Sequence, residues 1–348
     1  MYGGYYALHS RNVELLNEIS DNYYSYDLYS ITDGGICGKI KKGLGGNYFR
    51  TNQKVIDEVY SIIEEKKISF VFISNSLCSY LSYVIKSKYK DVKVVTFFHN
   101  CEYSYFMDEL KIKFLNIVSF LHMIFAFKTE KLAIKYSDYI WGLNDRDSQN
   151  VTKYYGKSFD LIIPTSIKDS VGEYMFHIPQ KKLKLLFVGS DFYANVHGLN
   201  WFVRHVLKYI DAHLFVVGNG MEKYKFNLPN ISVIGFVDDL TPYYLNADIV
   251  VSPIFLGSGM KTKIAEAMMF SKPILGTAES FEGYDLDFDK IGGLCNSSDD
   301  FINKIKLISS DLSTLEEYSS YSREMFLHNF EYNHTLNLVA NFLNLNIK

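Results

Sequence analysis

The sequence predicts an α/β protein built from two consecutive, doubly wound parallel-sheet domains. Three observations carry that prediction. Short runs of β-branched and aromatic residues alternate with longer helical stretches along almost the whole chain. Several of these runs are apolar without alternation, as strands covered on both faces should be. The pattern also restarts once, after the polar stretch SIKDSVGEYMFHIPQKK at 166–182. A chain of 348 residues is long enough for two such domains.

In the first half, YDLYSI (26–31), ISFVFIS (68–74), VKVVTFF (92–98), DYIWGL (138–143) and DLIIPT (160–165) read as strands. Helices are expected over 10–20, 52–66, 76–88, 108–135 and 145–155. In the second half, LKLLFVG (183–189), AHLFVVG (212–218), ISVIGFV (231–237), DIVVSPI (248–254) and KPILGT (272–277) read as strands. Helices are expected near 196–209, 239–246, 260–270, 299–309 and 313–330. The domains are therefore expected at 1–168 and 169–330, with a last helix in 331–348 that packs back on the first domain. The chain opens on MYGGYYALHSRN, where Gly3 and Gly4 read as the turn that follows a domain's first strand. The strand that should precede them is missing. A truncated or misassigned start is expected, which would leave the neighbouring strand edges unpaired; the alternative is that another segment fills the sheet centre.

A formal charge of −3 excludes a broad basic footprint and with it nucleic acid as a partner. The four cysteines, Cys37, Cys78, Cys101 and Cys295, form no CxxC pair and no zinc spacing. A reduced, cytosolic setting fits them. One segment, FLNIVSFLHMIFAF (114–127), is strongly apolar yet shorter than the roughly 20 residues of a membrane span. Lys111 and Lys113 precede it, and Lys128, Lys131 and Lys135 follow. Two readings stand: a buried helix of the first domain, or a helix docked on an anionic membrane surface.

The chemistry concentrates in the second half. In open parallel sheets, ligands bind beyond the carboxyl ends of the strands. The loops there are FVGSDFYANVHG, VVGNG, GFVDDL and SPIFLGSGMKTK, each rich in Gly or small polar residues. Glycine lets the backbone approach a ligand closely. GSGMKTKIAEAM (257–268) reads as a helix start, yet it places Lys261 and Lys263 where helix N-termini already carry partial positive charge. A bound diphosphate would turn that cost into a gain. The plain alternative, a Lys263–Glu266 pair at i,i+3, leaves Lys261 unexplained. Met260, Ile264, Ala267 and Met268 share the apolar face of this helix, and Glu266 points nearly opposite, towards a ligand hydroxyl or towards solvent.

The stretch ADIVVSPIFLGSGMKTKIAEAMMFSKPILGT resembles the nucleotide-sugar site of GT-B glycosyltransferases, family 4 in particular. GFVDDLTPYYLNADIVVSP and FVGSDFYANVHGLNWF extend the similarity over most of the second domain, and TFFHNCEYSYF and SDYIWGLNDRDSQNVTKYYG echo it in the first. The resemblance implies two Rossmann-like domains facing a cleft, with the donor mainly on the second and the acceptor on the first. It implies that Glu266, matching the second glutamate of an E-x7-E motif, holds the ribose hydroxyls. Gly259, Met260 and Lys261 match the helix start that meets donor phosphate and sugar. Phe236 and Val237 match the loop over the base, and Gly189 and Ser190 the loop near the diphosphate. Gly3 and Gly4 match a turn facing the donor phosphate. Ser258 stands where the first glutamate of the motif would fall, which leaves the transferred sugar open. Asp191, Asn195 and His197 replace the family's Arg and Lys after the domain's first strand, so Lys263 joins Lys261 as a source of positive charge. Gly218 completes the expected donor-binding set.

Sugar transfer needs charge stabilised on the leaving diphosphate and help in deprotonating an acceptor hydroxyl. His99 and Glu102, in the loop after a central strand, are the candidates, with an ordinary structural histidine as the alternative. Asp147 reads as a helix-start residue and His122 as a packed one. Asp238 and Asp239 read as helix-start residues rather than metal ligands, and no metal is expected. The expected function is transfer of a hexose-type sugar, with retention as the resemblance implies, from a UDP- or GDP-sugar to a glycan or polyprenyl-linked acceptor. Bacterial surface-polysaccharide (capsule) synthesis, in the cytoplasm or peripherally at the inner face of the plasma membrane, is the setting it implies. A nucleotide-sugar epimerase would alter the donor without acceptor. A non-catalytic partner of an active transferase would bind nucleotide without turnover.

Overall fold

The computed structural model describes residues 4–28, 36–49, 51–112, 116–173, 179, 182–257 and 259–346. Contacts divide the chain into two units, one of Met1–Leu8 with Thr165–Leu336 and one of His9–Pro164 with Asn337–Lys348.

The second of these carries a four-stranded sheet. Its elements are α1 (Gly4–Ile19, from His9 onward), α2 (Ile36–Leu44), α3 (Gln53–Glu65), β1 (Phe70–Ile73), α4 (Tyr80–Lys88), β2 (Lys93–Phe98), α5 (Glu102–Ile112), α6 (Ile117–Tyr136), β3 (Tyr139–Gly142), α7 (Asp145–Tyr155) and β4 (Leu161–Ile162). The strands are parallel and lie in chain order, β1-β2-β3-β4. β2 is buried from Val94 onward, which is why its sequence is apolar without alternation. Side-chain caps mark several helix starts: Asn52 for α3, Asn116 for α6 and Asn144 for α7. Gly156, in the left-handed region, ends α7.

The structure corrects four expectations here. The helix expected over 108–135 is two helices. Asn116 accepts hydrogen bonds from the Val118 and Ser119 N–H groups and starts a new helix in mid-run. The first helix begins at Gly4, six residues before the expected position, so Gly4 is helical rather than part of a turn, and Gly3 lies outside the described residues. Residues 26–28 are irregular, and the remainder of the strand expected at 26–31 lies outside the described residues. Leu28 nevertheless packs against the cluster of Ile63, Ile73, Leu81 and Val94, which accounts for its apolar character. Finally, α2 was not foreseen; it packs through Gly43 against Phe125 of α6, with no room there for a Cβ.

The other unit carries six parallel strands: β5 (Leu183–Val188), β6 (Ala212–Val217), β7 (Ile231–Gly235), β8 (Ile249–Ser252), β9 (Ile274–Gly276) and β10 (Gly292–Leu294). Between and after them lie α8 (Tyr193–His205), α9 (Thr241–Asn246), α10 (Thr262–Met269), α11 (Phe288–Ile291), α12 (Ser298–Ser310) and α13 (Leu312–Met325). The order across the sheet is β10-β9-β8-β5-β6-β7. Chain order therefore reverses between β5 and β8, as in a doubly wound sheet. Leu185, Phe187, Leu214, Val216, Ile249 and Val251 form the core with Phe202 and Phe301 of the covering helices. The short α11 and β10 were not foreseen from the sequence. α14 (Tyr332–Asn346) ends the chain, and its Phe342 meets Tyr139 and Trp141 of β3 edge-on.

Candidate functional site

The reversal between β5 and β8 is where a parallel sheet opens a crevice at its carboxyl edge. After β5 the chain passes through Gly189 and Ser190. The Gly189 N–H donates to the Val217 carbonyl oxygen at 3.0 Å. A side chain at Gly189 would press on the Asn195 amide, and one at Gly218 would collide with the Gly189 carbonyl. The loops after β5 and β6 therefore lie backbone against backbone. Gly218 in turn donates to the Gly235 carbonyl at 2.8 Å, which sets the loop of Phe236 and Val237 beside them. Phe236 is 47% exposed, a surface-facing ring at the end of β7.

The loop after β8 leads into α10. Gly259, with φ of 69°, is in the left-handed region, and Met260 is buried. Lys261 is the N-cap residue of α10, and no side chain caps the helix. The Ile264 N–H donates to the Lys261 carbonyl at 2.9 Å, so the N–H groups that the helix start offers an anion are those of its first two residues, Thr262 and Lys263. The Lys261 ammonium donates to the Gly259 carbonyl at 2.8 Å and to Glu279 Oε1 at 2.6 Å. Lys263 lies over the Phe187 ring and donates to Asn195 Oδ1 at 2.9 Å, while Asn195 Nδ2 donates to the Ser190 carbonyl at 3.0 Å. Burial, reinforced by the Lys261 charge, pushes the Lys263 ammonium down to about 7. Glu266 accepts a hydrogen bond from the buried Tyr244 hydroxyl at 2.8 Å, and burial raises its pKa. At the far end of α10, Arg323 donates to the Met269 carbonyl at 2.9 Å and pairs with Asp169, which fixes the helix in place.

The six-stranded unit thus brings together Gly189, Ser190, Asn195, Gly218 and Lys263, with Gly259, Met260, Lys261 and Glu266 on the same helix start. Ser258 lies outside the described residues. Sequence reasoning left Lys261 without a protein partner; Glu279 is that partner. The signal was available, because Glu279 follows β9 at the same carboxyl edge, and the loop after that strand was not considered. Asp191 is engaged by Lys223 and by the Tyr224 hydroxyl, at 2.6 Å in the latter case. Asp239 accepts from the Thr241 N–H at 2.9 Å, at the start of α9.

In the four-stranded unit, His99 is buried, and its Nε2 hydrogen-bonds the Ser74 carbonyl at 2.8 Å. Burial, more than the nearby Arg11 and His9 charges, pushes it down to about 4, so it is a neutral imidazole at neutral pH. Glu102 begins α5. Burial first, and then the Glu130 carboxylate, push it up to about 8. Glu130 of α6, fully buried, accepts from the Glu102 N–H (2.8 Å), the Tyr103 N–H (3.2 Å), the Tyr155 hydroxyl (2.6 Å) and the Ser76 hydroxyl (3.3 Å). Asp147 accepts from the Cys101 N–H at 3.1 Å and from Asn144 Nδ2 at 3.0 Å. Sequence reasoning missed Glu130, which sits between Lys128 and Lys131 in the polar half of α6, with no motif around it. Among the described residues, no group of His, Cys, Asp and Glu is arranged to hold a metal ion.

Residues 182–311 match the family described as Glycosyl transferases group 1. No curated protein matches the chain in sequence. Among solved structures, the chain is similar to the lipopolysaccharide outer core galactosyltransferase WaaB in its apo form, with a TM-score of 0.68 at 12% identity over 99% of this chain and 96% of that one. It is also similar to HepE from Anabaena in complex with UDP and glucose, with a TM-score of 0.68 at 10% identity over 98% and 96%. A sucrose-phosphate synthase from Thermosynechococcus elongatus gives a TM-score of 0.66 at 13% identity over 84% of this chain and 77% of that one. The chain has the GT-B fold, and its residues 182–311 match the glycosyl transferases group 1 family.

Proposed function

We propose that the chain is a glycosyltransferase that moves a hexose-type sugar from a nucleoside diphosphate donor, UDP- or GDP-linked, to a glycan or lipid-linked saccharide, with retention at the anomeric carbon and without a catalytic metal. Surface-polysaccharide synthesis is the process this chemistry suits. The observation that carries the reading is the uncapped start of α10 beside the β5–β8 reversal, where Lys261 and Lys263 stand. A diphosphate there meets helix N–H groups and two ammonium groups, which is the stabilisation a leaving nucleoside diphosphate needs. Glu266, held by Tyr244, is the acceptor for ribose hydroxyls, and Phe236 offers an exposed ring to the base. UDP bound in the Anabaena structure supports a nucleotide donor. Glu102, protonated below about pH 8, and neutral His99 are the acid–base candidates of the other unit. Saturating UDP, GDP or a matching nucleotide sugar should raise the melting temperature, following RT ln(1 + [L]/Kd). Glu266→Ala should weaken nucleotide affinity about 10-fold, the scale of one lost hydrogen bond to a charged group. Unshifted melting of the native protein across UDP, GDP and their sugar conjugates would refute the donor site.

The apolar segment adds an interfacial component. No helix among the described residues is long and apolar enough to cross a membrane. On α6, Ile117, Phe120, Ile124, Lys128, Lys131 and Lys135 recur at helical spacing on one face. Ile117 is 72% and Phe120 48% exposed, and the three lysines are exposed as well. An exposed apolar turn continuing into a cationic stripe suits an anionic lipid surface. The protein should sediment with vesicles containing phosphatidylglycerol and not with neutral vesicles, and Ile117→Ser with Phe120→Ser should abolish the binding. Equal recovery with both vesicle types, or with neither, would remove this component.

A further inference from the structure

We infer that Glu279 is a donor-binding residue: its carboxylate, delivered by the turn after β9 to the loop before α10, receives hydroxyl groups of the transferred sugar. The inference rests on the donor site proposed above and adds the group that reads the sugar. Glu279 lies in the turn of Thr277–Ser280, and that turn is tied to the end of β8 by buried hydroxyls. Thr277 Oγ1 donates to the Ile254 carbonyl, and Ser280 Oγ donates to the Ser252 carbonyl. The Ile254 N–H donates back to Ser280 Oγ at 3.3 Å, and the Ala278 N–H donates to Asn296 Oδ1 at 2.9 Å. The backbone on either side of Glu279 is therefore fixed. Its side chain reaches Lys261 at 2.6 Å and lies 3.8 Å from where a Cβ on Gly257 would stand.

This placement gives the helix start two carboxylates, one along the helix and one beside the loop that leads into it. Glu266 is one turn along α10, about 6 Å from its first residue, and is held by Tyr244. Glu279 lies beside Gly257 and Lys261, in the loop that leads into the helix. A diphosphate at the helix start has a nucleoside on one side and a sugar on the other, so each carboxylate meets one of them. Sugar hydroxyls donate most strongly to ionised carboxylates. The 257–261 segment itself, Gly-Ser-Gly-Met-Lys, has no acidic residue to do this. The Lys261–Glu279 pair also keeps the ammonium within the loop, so that a bound donor shares Lys261 between phosphate and carboxylate.

The test compares, by calorimetry, UDP with UDP-glucose and UDP-N-acetylglucosamine, and GDP with GDP-mannose, on the native protein, Glu279→Gln and Glu279→Ala. The native protein should bind one nucleotide sugar about 10-fold or more tighter than its parent nucleotide. Both variants should lose that preference while binding the parent nucleotide as tightly as before or more tightly, and Glu279→Asp should recover part of it. Loss of affinity for nucleotide and nucleotide sugar in equal proportion would overturn the inference and leave Glu279 as a mere partner of Lys261. A native protein that binds nucleotides but prefers no sugar conjugate would overturn it too. A native protein that binds no nucleotide overturns the donor site itself, and the inference with it. Melting temperatures of the variants within a few degrees of native would show that the losses are local; if Glu279→Ala unfolds, the isosteric Glu279→Gln decides the matter.

Discussion

Lys263→Met is expected to raise the melting temperature of the ligand-free protein while lowering nucleotide-sugar affinity about 10–100-fold at pH 6.5. The affinity loss is the scale of one charge-assisted contact, about 1.5–3 kcal/mol. Lys263 is held down to about 7 in the fold by burial and by Lys261, whereas an unfolded lysine titrates near ~10.4. Between those two values the folded state binds fewer protons than the unfolded one, so stability rises with pH from about 7 to about 10.4. Below 7 the full cost of burying the ammonium is present, and methionine removes it. A bound diphosphate favours the charged form and raises its pKa in the complex. Donor binding therefore takes up a proton above pH 7. Affinity should fall by up to about tenfold per pH unit there and be flat below. A nucleotide sugar is the right probe, because its bridging diphosphate does not titrate in this range. Calorimetry in two buffers of different ionisation enthalpy measures the proton directly. Native-like affinity in the variant, or a native protein with no proton uptake at pH 8, would refute this account of the site.

Glu130→Ala is expected to destabilise the four-stranded unit by about 3 kcal/mol or more. The carboxylate accepts from two backbone N–H groups at the start of α5 and from the Tyr155 and Ser76 hydroxyls. Removing it strands these buried donors, at on the order of 1–3 kcal/mol each when left unsatisfied. Glu130→Gln keeps acceptor oxygen in place and should cost less. The same cluster predicts how stability changes with pH. Burial raises Glu130 to about 7 and Glu102 to about 8. Both lie above the unfolded carboxylate, at about 4.3. The folded state then binds more protons than the unfolded one across that window, so the stabilising contribution is complete below the unfolded value and is lost as pH rises to about 8. Thermal denaturation from pH 5 to pH 8.5 should show the transition of this unit falling, with a shallower fall in Glu102→Gln. A transition that rises over that range would contradict the assignment.

Much of this architecture was written in local pattern. The strands of the six-stranded sheet are apolar runs because both faces are covered, and LKLLFV and IVVS declare it directly. Chain order in the sheet could not be read from any one strand, since pairing is non-local. The helix break at Asn116 was hidden because hydrophobicity continues across it, and it is the cap at Asn116 that marks the start of α6. At the helix start, the lysines were legible as an electrostatic anomaly. Glu279 was legible only by its place after β9, and it was passed over because it comes eighteen residues further on, through a strand whose loop was not considered. Glu130 was invisible for the opposite reason: an acidic residue between exposed lysines looks exposed itself until its donors are seen.

The hydroxyl ties at Thr277 and Ser280 have an evolutionary reading. They hold the turn after β9 by contacts that involve the side chain of neither Ala278 nor Glu279. The backbone of that turn can thus stay in place while its two central side chains drift. Helix α10 has no such freedom, since its Ile264, Ala267 and Met268 are committed to the interior. Descendants of this chain could acquire new sugar preferences through one or two codons at 278–279, with the anchoring of the nucleotide inherited unchanged.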